Sequence, residues 1–204
     1  MIALIDYRAG NLTSVRKALA EVGADVYTPA SPVELAHARG IIVPGVGHFA
    51  ATGALDRTWM ETIRTAVAAG RPLLGICLGM QWLYEGSEEA PDLPGLGLLA
   101  GSCHRLPAST GLKVPHVGWN RLDRLREASI VNGVGDGAHV YFTHSYVAPV
   151  TDDTIAAAAH GETFAAIVQR GHVAGVQFHP EKSGDVGLQI LRNFLELATS
   201  AREV

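Results

Sequence analysis

Short, uninterrupted apolar runs alternate with amphipathic helical segments over residues 1–85, and this rhythm constrains the fold more than any other feature of the chain. Ile2-Ala3-Leu4-Ile5 is apolar throughout, as a strand buried on both faces of a parallel sheet must be. Asn11 is placed to cap a helix in which Leu12, Val15, Leu19 and Val22 recur at helical spacing, and Gly23 ends it. Ala24–Tyr27 reads as a second strand, and Ser31-Pro32-Val33-Glu34 as a capping box with proline at the first helical position. Gly40–Val43 gives a third strand, halted by Pro44. Met60, Ile63 and Val67 mark a helix that ends at Gly70. Pro72–Ile76 is a fourth buried strand, and Met80–Glu85 has helical character. Alternation of this kind implies an α/β fold with a mostly parallel sheet flanked by helices.

The pattern changes after residue 100. Trp119–Leu125, His139–Phe142, Ala165–Gln169 and Val173–Phe178 are short β-like stretches, expected to extend the sheet with antiparallel strands. A last amphipathic helix follows, with Ser183 as its expected cap and Ile190, Leu191, Phe194, Leu195 and Ala198 on one face. No repeat or linker interrupts the 204 residues, so a single domain spanning 1–204 is expected.

Composition removes several functional classes. Sixteen basic against twenty acidic residues leave no electrostatic footprint for a nucleic-acid backbone. The first residues lack a basic segment and reach Asp6 early, so no signal peptide is expected. No apolar run approaches the ~18 residues of a membrane span. Two isolated cysteines, Cys77 and Cys103, are too few for a disulfide framework or a zinc site, which points to a reducing, cytoplasmic setting. The glycines of 95–101 miss dinucleotide spacing, and neither a P-loop nor an HExxH pair is present; no cofactor or metal is expected.

Three segments can carry chemistry. Gly75-Ile76-Cys77-Leu78-Gly79 lies where a buried strand meets a helix and has the form of a nucleophile elbow, with cysteine as the nucleophile. The turn aims the sulfur at a helix N-terminus, which favours the thiolate, and the Leu78 amide can face a developing oxyanion. Cys103 has no such frame and reads as a core residue. A cysteine nucleophile needs a base. His179-Pro180-Glu181 follows an apolar strand, and on an extended segment its ring and carboxylate point the same way. Alone these residues read as a surface turn; beside the elbow they read as base and orienting acid. Pro44-Gly45-Val46-Gly47 lies at the carboxyl edge of the third strand, where open α/β sheets bind ligands. It is either an ordinary turn or a mobile peptide able to offer the Val46 amide as a second oxyanion donor.

Gly75-Ile76-Cys77-Leu78-Gly79-Met80-Gln81 together with Gln177-Phe178-His179-Pro180-Glu181 resembles the class I, triad-type glutamine amidotransferases, a flavodoxin-like fold. Asp6-Tyr7, Gly10-Asn11-Leu12, Pro44–Gly47, Lys113–Asn120, His144-Ser145-Tyr146 and Glu181-Lys182-Ser183 narrow the resemblance to the glutaminase subunits of imidazole glycerol phosphate synthases. The resemblance implies that Cys77 attacks the glutamine amide, with His179 as base and Glu181 orienting it. Val46 and Leu78 would form the oxyanion hole, while Gly47, Gln81, Ser145 and Tyr146 would hold the substrate. It further implies a heterodimer with a (β/α)8-barrel synthase that takes up the ammonia in histidine biosynthesis, with Asn11, Trp119 and Lys182 near the interface. Arg8, where the family usually has glycine, Thr143 and Val147 depart from its pattern.

Overall fold

The computed structural model describes residues 1–108, 112–123 and 126–200. Its strands are β1 (Ile2–Leu4), β2 (Val26–Tyr27), β3 (Gly40–Val43), β4 (Leu73–Ile76), β5 (Gly86–Ser87), β6 (Ser102–Arg105), β7 (His116–Arg121), β8 (His139–His144), β9 (Tyr146–Val147), β10 (Thr154–Ala159), β11 (Thr163–Arg170) and β12 (Val173–Val176). Its α-helices are α1 (Leu12–Glu21), α2 (Arg57–Ala68), α3 (Leu78–Trp82) and α4 (Gly184–Ser200).

Seven strands form the central sheet in the order β10-β11-β12-β4-β3-β1-β2. From β2 to β12 every neighbouring pair is parallel, and β11 and β10 add the antiparallel extension. The sheet separates two cores because side chains alternate along each strand. Leu4, Ile42, Leu74 and Ile76 pack on one face with Val15 and Leu19 of α1 and Ile190 and Phe194 of α4. Ala3, Ile41, Val43 and Leu73 face the other way, against Ile63 and Val67 of α2 and Trp82 of α3. No helix among the described residues is long and apolar enough to cross a membrane.

Several local expectations are corrected. Val173–Phe178 belongs to the parallel part of the sheet: β12 lies beside β4 in parallel register, Val176 opposite Ile76. β7 and β8 form a separate antiparallel ribbon, and Arg124 and Leu125 lie outside the described residues. Residues 32–37 form a 3₁₀ turn in which Ser31 makes no cap bond, since Glu34 Oε2 accepts from the Ala30 amide instead. Asn11 does cap α1, its Oδ1 accepting from the Ser14 amide.

Candidate active site

The site gathers at the carboxyl ends of β3, β4 and β12. Cys77 follows β4 directly and takes φ 52°, a left-handed conformation that a side chain adopts only at a cost of about 1–3 kcal/mol. Backbone proximity explains its glycines. A Cβ on Gly75 would lie 2.6 Å from the Gly79 carbonyl oxygen, and one on Gly79 would overlap the carbonyl of Val43. The elbow is thus wedged between its own helix and the neighbouring strand.

His179 leaves the sheet beyond β12. Its amide donates to the Tyr141 carbonyl of β8 at 2.9 Å, and its own carbonyl accepts from Ser183 Oγ at 2.7 Å. Ser183 Oγ also accepts from the Tyr141 amide at 3.0 Å, so its side chain ties down the His179 backbone and does not cap α4. Glu181 sits in a 3₁₀ turn over Pro180–Lys182 and not on an extended segment. From there Oε1 meets His179 Nδ1 at 2.8 Å, with both side chains about 95% buried. Nε2 is buried, makes no hydrogen bond among the described residues, and lies close enough to the Cys77 sulfur to feel it. Burial opposes the imidazolium, but the facing sulfur and the Glu181 carboxylate outweigh burial and raise His179 to about 10.

A cavity of about 260 Å³ opens in front of the sulfur, lined by Val46, Gly47, Cys77, Leu78, Gln81, Glu89, Pro115, Thr143, His144, Ser145 and Tyr146. Gln81 is buried in its wall. Its Nε2 donates to the Tyr146 carbonyl at 2.8 Å and to Gln177 Oε1 at 3.1 Å, while Gln177 Nε2 donates to the Cys77 sulfur at 3.7 Å. Apart from its elbow and its buried ring–carboxylate pair, the site holds these two interlocked amides. Residues 3–198 match the model of the family "Glutamine amidotransferase class-I".

The chain belongs to that family.

Among its relatives is the imidazole glycerol phosphate synthase subunit HisH of Geobacillus kaustophilus, 49% identical over 207 residues that cover 98% of each chain. The chloroplastic imidazole glycerol phosphate synthase hisHF of Arabidopsis thaliana is 45% identical over 201 residues, covering 96% of this chain and 34% of that longer one. A solved structure of a glutamine amidotransferase superposes with a TM-score of 0.76 at 24% identity, covering 98% of this chain and all of the other, which shows the shared fold.

In this amidotransferase the two expected oxyanion donors are not both free. The Leu78 amide donates to the Gly45 carbonyl at 3.3 Å. Because a trans peptide sets N–H opposite C=O, the Val46 amide points the other way, and it makes no hydrogen bond among the described residues. Gly10 packs against that peptide; a Cβ there would come within 3.3 Å of the Val46 nitrogen. Gly47 takes φ 113°, so the segment can turn with little steric cost.

Of the expected interface residues, Trp119 is 58% exposed on the outer face of β7 beside exposed Val117, and its ring meets Tyr141 edge-on. Lys182 Nζ lies 5.6 Å above the same Tyr141 ring. α1, whose cap is Asn11, packs against the Pro180–Lys182 turn.

Two features escape sequence reasoning. Glu89 lines the cavity, with Oε2 accepting from the Phe49 amide at 2.7 Å. Its only sequence signal is an acidic pair, Glu88-Glu89, shortly after the elbow helix. Behind the Ser145–Tyr146 segment runs a histidine chain. His144 Nδ1 meets the Tyr146 carbonyl at 3.0 Å, its Nε2 meets His116 Nδ1 at 3.0 Å, and His116 Nε2 meets Asn120 Nδ2 at 3.3 Å. The bonding is self-consistent when both rings are neutral, and burial lowers His116 to about 4 and His144 to about 3. Thr143, a departure from the family pattern, offers its backbone carbonyl to the Cys77 sulfur at 3.9 Å. Cys103 is buried without access, and burial pushes its thiol far up.

Proposed function

We propose that this chain is the glutaminase subunit of an imidazole glycerol phosphate synthase, working as one domain over residues 1–204. The Cys77 sulfur attacks the side-chain carbonyl carbon of glutamine, and the carbonyl π pair becomes the oxyanion. On collapse, imidazolium His179 gives its Nε2 proton to the leaving nitrogen, the C–N bond breaks, and ammonia departs from a thioester. His179 then takes a proton from water, whose oxygen attacks the thioester, and glutamate leaves as the sulfur is restored. Glu181 fixes the ring's tautomer and stabilises its charged form. Gly47, Gln81, Ser145 and Tyr146 hold the amino acid, Gln81 through a side-chain oxygen that accepts no hydrogen bond among the described residues. Glu89 adds a carboxylate for its ammonium group. The observation that carries this reading is the placement of Cys77 and His179 beyond neighbouring parallel strands, with the sulfur lining one small cavity and the imidazole close enough to feel it.

The Gly45–Leu78 bond favours a subunit that waits for a partner over a free-standing hydrolase. Turning the Gly45–Val46 peptide would free the Leu78 amide and bring the Val46 amide into the site, completing the oxyanion hole with both donors. The partner is a (β/α)8-barrel synthase subunit, joined as a heterodimer in the cytoplasm. It takes ammonia from this chain to form imidazole glycerol phosphate and an aminoimidazole carboxamide ribotide. The exposed Val117–Trp119 face, Lys182 and Asn11 form the docking side. The hisHF protein of Arabidopsis, of which this chain matches only 34%, supports an arrangement in which the remaining chemistry belongs to a second unit. A diazo-ketone glutamine analogue tests the reading: it should label Cys77, faster when the liganded barrel is present. Labelling of Cys103, or of neither cysteine, would overturn it.

A further inference from the structure

Tyr7 follows β1 and is 5% exposed, yet its hydroxyl is buried without a hydrogen-bond partner among the described residues. Leaving such a group unpaired costs about 1–3 kcal/mol, and phenylalanine would fill the same space without that cost. The hydroxyl lies against the Pro44–Gly47 segment, because a Cβ on Gly45 would overlap the Tyr7 oxygen and sit 3.0 Å from Leu78 Cβ. Burial and, secondarily, the nearby Cys77 charge push the phenol's pKa up, so it remains a neutral donor at every working pH. Glycine at 45 is thus required by the tyrosine oxygen as well as by the turn.

We propose that Tyr7 is a positioning residue for glutamine hydrolysis: its hydroxyl donates to the Gly45 carbonyl once the Gly45–Val46 peptide has turned. The inference rests on the peptide rotation proposed above. In the orientation seen here the Gly45 carbonyl has a donor, the Leu78 amide, and the phenol has no acceptor. Rotation removes the carbonyl from Leu78 and carries it to the side where Gly10 and the β1–α1 segment pack. The phenol is the buried, unused donor touching the Gly45 Cα, so the turned peptide regains the bond that it gave up. An unpaired hydroxyl in the resting state and a paired one in the active state shift the balance toward the oxyanion-ready form. Tyr7 touches neither substrate nor sulfur in this role; it acts through the orientation of one peptide.

Tyr7→Phe in the complete complex, with the barrel's ligand present, tests this. Glutamate release should fall about tenfold in kcat, the size of one neutral hydrogen bond, with KM for glutamine unchanged. The isolated variant chain should melt about 2–4 °C higher than wild type, because an unpaired buried hydroxyl has gone. A residue that merely supported the fold would lower the melting temperature. Unchanged kcat, or a lower melting temperature, overturns the proposal. The rotation is followed separately in the wild-type complex through the ¹⁵N–¹H resonances of Val46 and Leu78 as the diazo-ketone adduct forms. If both shift while Tyr7→Phe keeps full kcat, Tyr7 is excluded and the rotation stands. If neither shifts, the rotation fails and the Tyr7 proposal falls with it.

Discussion

The carbonyl of Gly45 accepts the amide of Leu78 at 3.3 Å, so one backbone group of the nucleophile loop is engaged by another that must move before both can serve an oxyanion. The rest of the site carries no such conflict. His179 and Glu181 are already joined, and the cavity is open in front of Cys77.

Removing an oxyanion donor costs about 10²–10³ in rate. The isolated chain should therefore turn over glutamine about 10²–10³ times more slowly than the complex with its barrel ligand bound. Steady-state glutamate release with and without partner and ligand measures this. Equal rates would mean that the Leu78 amide is available at rest.

Glu181→Gln should reduce turnover by between about 10² and 10⁴, because the ring loses its orienting carboxylate. It also removes one of the groups that raise His179 to about 10. The stability contributed by the charged ring is complete below its unfolded value near 6.5 and is lost as pH rises through about 10. In the variant that loss should be smaller and should be complete at lower pH. Urea unfolding between pH 6 and pH 10.5 reads the difference, and superimposable profiles would argue against the pair as the source of the shift.

The neutral histidines act in the opposite direction. His116 and His144 titrate near 4 and 3 in the fold, held down first by burial among Phe142 and Phe164; His160 adds to this at His116, while His116, His160 and His179 add to it at His144. The unfolded chain takes up protons below about 6.5 that the native one refuses. Stability should accordingly decline as pH falls from about 6.5 towards 3. His144→Gln should blunt that decline, and it should also raise KM for glutamine by loosening the Tyr146 carbonyl. Denaturation midpoints from pH 7 to pH 3.5, with glutamine kinetics at neutral pH, test both parts.

Arg8 takes φ 63°, a region in which an arginine is strained and glycine is not. Arg8→Gly should stabilise the chain by about 1 kcal/mol, raising its melting temperature by about 2–4 °C. The contact from the Arg8 amide to Asp6 Oδ1 at 2.9 Å uses the backbone and survives the change. A lower melting temperature would show that the arginine side chain makes a compensating contact.

What the sequence reveals follows from how local the physics is. The Cys77 elbow is legible because a strand, a left-handed turn and its glycines fall within five residues. The parallel core is legible because burial on both faces leaves continuous apolar runs at β1, β3 and β4. The direction of β12 is not legible, because an apolar run does not say which strand lies beside it. Ser183 looks like a helix cap and instead holds His179, since its competing partner, Tyr141, arrives from β8. The His144–His116 chain is hidden for the same reason: its partners meet across the β7–β8 ladder. Tyr7 is legible as part of a motif, but its unpaired hydroxyl is not, because that is a property of surroundings contributed by Gly45 and Leu78.

Gln177 and Cys77 stand 100 residues apart, yet they emerge from adjoining strands whose last paired residues are Val176 and Ile76. The spacing between sulfur and imidazole is therefore inherited from one step of the sheet ladder and owes nothing to the length of chain between them. Intervening residues that touch neither group can be remodelled without disturbing the reacting atoms, whereas β8 cannot, since Tyr141 holds the His179 backbone and Thr143 meets the sulfur. Such an arrangement lets evolution change the outer surface of the intervening chain while the reacting pair stays fixed.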